Sequence, residues 1–155
     1  MLHRPGDLAI DKRGVDRAIV MKCPDGCGET LTVNLDHRSG KAWRLRRHAA
    51  QGLSLYPSIW RHDGCRSHFI IWRNAILWCD GDDEGYPSWS DQSLAAAILR
   101  ELGESPDRFH EAEELGERVD ASPWEVVWAC RRLRIEGKVD VARHTWFRIR
   151  ADRDE

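Results

Sequence analysis

The chain has 155 residues, 41% of them hydrophobic and 32% charged, with a formal net charge of -2. That composition excludes a disordered or collagenous chain, and no apolar run nears the ~20 residues of a membrane-spanning helix. The balanced charge gives no whole-molecule attraction to nucleic acid or to an anionic membrane.

The length suits one ordinary domain or two small ones. Charge divides unevenly: residues 1–90 sum to +2 and residues 91–155 to -4. The division falls at Asp80-Gly81-Asp82-Asp83-Glu84-Gly85-Tyr86-Pro87-Ser88, where glycine, proline and clustered acids break regular structure. Two domains are therefore expected, 1–88 and 89–155. Met1 to Val20 holds no apolar block, so no secretory signal and a cytoplasmic location are expected.

The first module reads as short strands. Ala18-Ile19-Val20-Met21 is strand-like, and Thr30 to Leu35 alternates apolar and polar residues with period two. Trp43-Arg44-Leu45-Arg46 alternates as well, and Gly52 to Tyr56 is a further candidate. His68-Phe69-Ile70-Ile71-Trp72 and Ala75-Ile76-Leu77-Trp78-Cys79 flank Arg73-Asn74, the pattern of a hairpin with a two-residue turn. In that register His68 faces Cys79 and Phe69 faces Trp78.

The second module reads as three helices and a hairpin. Ser93 to Leu102 is apolar at Leu94, Ala97, Ile98 and Leu102, a helical spacing. Glu111 to Val119 forms a short acidic helix. Ser122-Pro123-Trp124-Glu125 is a helix start with a capping box, and that helix runs to Glu136 with Trp124, Val127, Trp128 and Leu133 as its apolar face. Val139 to Val141 and Trp146 to Ile149 are strands. The expected class is α+β: a zinc-stapled, β-rich first domain, then a winged helix-turn-helix-like domain.

A winged helix often places its third helix in the DNA major groove. Here Glu111, Glu113, Glu114 and Glu117 oppose phosphate, and Trp124 and Glu125 open the third helix where base-reading side chains would stand. DNA is therefore not the expected partner of the tail.

Cysteine carries the clearest chemistry. Cys23-Pro24-Asp25-Gly26-Cys27-Gly28 is a tight knuckle between two strands, Cys65 follows Gly64, and Cys79 ends the hairpin. Cys23, Cys27, Cys65 and Cys79 form a four-ligand set of the kind structural zinc prefers, with His68 or Asp25 as alternatives for the fourth place. A saturated zinc has no open position for water and would staple the fold. Cys130, alone in an apolar helix, reads as a buried small residue.

Catalytic groups must then lie elsewhere. Ser58, Ser67, His62 and His68 are close in sequence. Ser67 and His68 are neighbours in a strand and point to opposite faces, so they make a poor pair. Ser58, in a loop stiffened by Pro57, can fold back to His68, whose neutral imidazole would activate the hydroxyl. Asp63 is a nearby candidate third member.

The knuckle at Cys23 to Gly28, Trp43-Arg44-Leu45, the run Ser54-Leu55-Tyr56-Pro57-Ser58-Ile59, and Gly64-Cys65-Arg66-Ser67-His68-Phe69-Ile70 together resemble a family of small bacterial domains. Its members are encoded beside ubiquitin-like modifiers and their activating and conjugating enzymes. The resemblance spans about Met21 to Cys79. It implies a serine peptidase acting on a ubiquitin-like modifier or its conjugates, with Ser58 as nucleophile, His68 as base and the metal on Cys23, Cys27 and Cys65. Many members carry a further cysteine where this chain has Asp25, so Cys79 is the expected replacement. An activating or conjugating enzyme is a further expected partner. The alternative is a non-enzymatic zinc-ribbon and winged-helix regulator of nucleic acid, or an adaptor for a conjugation enzyme.

Overall fold

A computed structural model describes residues 2–79 and 92–151. The chain is mixed α+β and forms two compact units, Met1–Gly81 and Asp82–Glu155. The expected division after residue 88 lies outside the described residues.

The first unit contains two antiparallel meanders. β1 (Leu8–Arg13), β2 (Val15–Lys22) and β3 (Thr30–Asn34) form one sheet in sequence order. A single 3-10 turn at His37–Ser39 follows, where the buried Asp36 carboxylate accepts from the Arg38 backbone and side chain and pairs with Arg17. β4 (Arg44–His48), β5 (Gly52–Trp60), β6 (His68–Trp72) and β7 (Ala75–Trp78) form the second sheet. Period-two alternation turns one face of each sheet inward. Ile19, Met21 and Val33 thereby meet Leu55, Ile59, Phe69 and Ile71 in one core.

The β6–β7 hairpin has the expected register, with Phe69 opposite Trp78. Arg73 and Asn74 both take positive φ, 49° and 63°, as a type I′ turn requires. β5 departs from expectation: instead of ending near Tyr56 before a loop, it continues to Trp60. Ile59 pairs with Phe69 but Leu55 pairs with Ile71, so four steps on β5 span two on β6. Tyr56, Pro57 and Ser58 therefore form a bulge, consistent with a proline that has no N–H for the ladder.

The second unit runs α1 (Gln92–Gly103), β8 (His110–Glu111), α2 (Ala112–Val119), α3 (Pro123–Ile135), β9 (Val139–Ala142) and β10 (Trp146–Ile149), with sheet order β8-β10-β9. Ser122 and Glu125 form the capping box, each side chain bonded to the other's backbone N–H. The buried face of α3 is Val126, Val127, Cys130 and Leu133, set against Ile98, Leu102, Leu115, Val139 and Phe147. Of the expected apolar face, Val127 and Leu133 are inward, while Trp128 is exposed and Trp124 half-buried. The two tryptophans pack edge to face with ring centroids 5.8 Å apart, and the Arg131 guanidinium lies over Trp128.

Candidate functional site

Two features stand at the β5–β6 end of the first unit. One is a cluster of sulfur ligands. Cys23 follows the end of β2, and its N–H donates to the Glu29 carbonyl. The intervening knuckle turns through Gly26 and Gly28 at φ of 87° and 83°, conformations that favour glycine. Asp25 steadies it by accepting from the Cys27 N–H at 3.0 Å. From the other side, the β5–β6 connection brings Cys65, after Gly64 at φ 61°. The Cys23 and Cys65 sulfurs lie 3.6 Å apart.

Ligand atoms of Cys23, Asp25, Cys27 and Cys65 all lie within 4.8 Å of one another. A tetrahedral zinc with Zn–S near 2.3 Å sets its sulfurs about 3.8 Å apart, so the donor set and spacing fit that ion. Cys79 is not in the group. The hairpin register, taken one step past Phe69 and Trp78, sets Cys79 opposite His68, and directly opposed residues share a face. Ser67 is on the other side of β6, with its hydroxyl 3.5 Å from the Cys23 sulfur and 3.3 Å from that of Cys65. Among the described residues, the group that could hold a metal contains Asp25 and does not contain Cys79.

Arg61 is a residue that sequence reasoning missed. Its guanidinium donates to the sulfurs of Cys65 at 3.0 Å and Cys27 at 3.5 Å, and pairs with Glu29. Its side chain is only 10% exposed. Hydrogen bonds from the Ser67 hydroxyl and N–H hold the Cys65 thiol down to about 7. No spacing rule marks Arg61; only its position in the same connection as Cys65 could have drawn attention to it.

The second feature is on the outer face of the second sheet. Trp60 pairs with His68 across β5 and β6, and the two rings stack with centroids 5.3 Å apart and planes 22° from parallel. Ser58, two residues before Trp60, shares that face, and its Oγ lies 2.9 Å from His68 Nε2. The indole N–H of Trp43 donates to the Ser58 carbonyl at 3.3 Å. His62 packs on Trp60 at 4.7 Å rather than on Ser58. Asp63 turns to water, with its side chain 95% exposed, so it is not a third member.

A second Ser–His contact joins Ser54 Oγ and His48 Nε2 at 2.9 Å. Ser54 also accepts from the Arg73 N–H at 3.0 Å and is only 5% exposed. Its enclosure and its bond to the Arg73 N–H suit a structural role for this pair. In the second unit, Cys130 is buried, which pushes its thiol up to about 12, and it lies outside the ligand group.

Residues 1–79 match the family model described as the bacterial ubiquitination-like system serine protease (BubE). The chain belongs to that family. The match contains both the sulfur cluster and the Ser58–His68 contact, and it ends at Cys79, before the helices of the second unit. No curated protein and no solved structure matches the chain. No helix among the described residues is long and apolar enough to cross a membrane.

Proposed function

We propose that the first unit is a serine peptidase with a Ser58–His68 dyad that processes or removes a ubiquitin-like modifier. The observation that carries this reading is the 2.9 Å contact between Ser58 Oγ and His68 Nε2, inside the span that matches a serine protease family. A serine hydroxyl is a weak nucleophile until a base takes its proton. In the productive tautomer His68 carries its proton on Nδ1 and accepts at Nε2. Ser58 Oγ attacks the carbonyl at the end of the modifier's tail as its proton passes to Nε2. The tetrahedral intermediate collapses when His68 returns that proton to the leaving amine. Water, activated by the same imidazole, then releases the acyl group from Ser58.

Zinc in this reading is structural, held by Cys23, Cys27, Cys65 and Asp25. Four protein ligands leave no open place for a catalytic water. Its work is positional: it pins the β5–β6 connection at Cys65, three residues before His68. Arg61 donates to the Cys65 and Cys27 sulfurs and offsets part of their negative charge.

For the remaining chain we propose domains 1–88 and 89–155, the second a winged-helix-like module. The order α1, β8, α2, α3, β9, β10 supports that topology. Its acidic α2 and the Trp124–Trp128 pair on α3 favour a protein partner, such as an activating or conjugating enzyme, over DNA. We place the protein in the cytoplasm with those partners. The test is incubation with a ubiquitin-like precursor or conjugate and intact mass of the products. A single cut at the end of the modifier, lost in Ser58→Ala, supports the proposal; no cut by the wild type of any ubiquitin-like precursor or conjugate offered overturns it.

A further inference from the structure

The bulge in β5 creates a problem that one side chain solves. Between Leu55 and Ile59 the ladder to β6 is interrupted, and β4 begins at Arg44, opposite Tyr56. Neither register gives Ser58 a partner among the described residues. A bulged backbone out of register with β6 has more than one way to settle, and each would move Ser58 Oγ relative to His68.

Trp43 holds this stretch. Its indole Nε1–H donates to the Ser58 carbonyl at 3.3 Å, on the same residue that carries the Oγ in contact with His68. The indole is itself fixed. The Trp43 backbone N–H donates to the Asn34 carbonyl at 2.8 Å, tying it to the end of β3. Its ring packs against the core shared by both sheets, and Lys41 Nζ lies over it at 5.7 Å. The first sheet thus braces the bulge of the second.

We infer that Trp43 is a positioning residue for the Ser58 nucleophile, acting through the indole N–H to the Ser58 carbonyl. The inference rests on the dyad reading above. Removing the N–H while keeping the ring leaves the core packed but releases the bulge. The fraction of time Ser58 Oγ is aligned with His68 then falls. Loss of one neutral hydrogen bond is expected to slow the chemical step about two- to tenfold. Substrate binding away from the bulge is unaffected, so KM stays while kcat falls.

The experiment follows labelling of Ser58 by a fluorophosphonate, which reports nucleophile reactivity directly, with the site read by mass. Wild-type full-length protein is compared with Trp43→Phe and with the chain carrying benzothienylalanine at position 43, an isostere of tryptophan without the N–H. Melting temperature and zinc content are measured alongside. The inference expects labelling of Ser58 slowed about two- to tenfold in both variants at unchanged probe affinity. A merely structural role would lower the fraction of protein that labels and its melting temperature, not the rate of the folded fraction. If Trp43→Phe does not fold, the isosteric chain decides. Equal rates in the isosteric chain and the wild type overturn the inference and leave the dyad standing. A wild type that reacts at a residue other than Ser58, or at none, overturns the dyad reading and this inference with it.

Discussion

Replacing Arg61 with alanine tests how the sulfur cluster is held. Three thiolates and one carboxylate around a divalent cation, as proposed for Cys23, Cys27, Cys65 and Asp25, would leave two negative charges at the site. Arg61 is the cation that answers them, with N–H···S distances of 3.0 and 3.5 Å to Cys65 and Cys27 and an ion pair to Glu29. At 10% side-chain exposure it is poorly screened by solvent, so its loss is felt. Partners of this kind, one shell out from a metal, typically contribute about 10–100-fold in affinity, or about 1.4–2.7 kcal/mol. Arg61→Ala should weaken zinc binding within that range, measured by competition with a chromophoric chelator. Arg61→Lys keeps the charge but loses the planar fork that reaches two sulfurs and Glu29, so it should fall between. An Arg61→Ala protein with wild-type zinc affinity would refute the electrostatic argument.

Elemental analysis of a ligand series should find zinc lost in Cys27→Ser and Cys65→Ser, weakened in Asp25→Ala and unchanged in Cys79→Ser and Cys130→Ser; loss in Cys79→Ser would return that residue to the site. Ser54→Ala should keep cleavage activity while lowering stability by about 1 kcal/mol in denaturant melts, because it removes a buried hydrogen-bond acceptor and leaves the Arg73 N–H without that partner. Arg38, by hydrogen bonds first and by its charge, holds the Asp36 carboxyl well below the usual carboxylate range. A depressed folded pKa adds stability that is present above the unfolded carboxylate value of about 3.9 and is lost as pH falls through the folded value. Asp36→Asn should therefore be less stable than wild type at neutral pH, and the two melting curves should converge on acidification; a constant gap down to pH 2 would contradict this.

Much of this architecture was legible in the residues because local chemistry and tertiary demand agree there. Arg73-Asn74 between two apolar runs specifies a tight turn, and Phe69 indeed faces Trp78. Ser122-Pro123 with Glu125 specifies a helix start whose cap bonds both form. The knuckle between Cys23 and Gly28 announces a ligand turn because only glycines make both bends cheaply. Other parts were hidden for physical reasons. β1 escaped notice because Leu8-Ala9-Ile10 passes into Asp11-Lys12-Arg13, an exposed edge that needs little apolar patterning. Pro57 reads as a loop, yet a bulge accommodates it within a strand. β8 is two residues long, too short for any periodicity. The buried face of α3 contains Cys130 and Val126 rather than the two tryptophans, because a large aromatic can lie half-exposed against its own helix. That Asp25 and not Cys79 joins the sulfur cluster was hidden because it depends on which side of the hairpin meets the knuckle, where Ser67 lies against Cys23 and Cys65.

The most direct measurement is the single-turnover rate of cleavage of a ubiquitin-like conjugate by Ser58→Ala, His68→Ala and the double variant, each with its zinc content verified. Members of one catalytic unit are not additive. All three should fall to the same low floor while retaining zinc and fold. A Ser58→Ala protein that cuts at the wild-type rate would contradict the account.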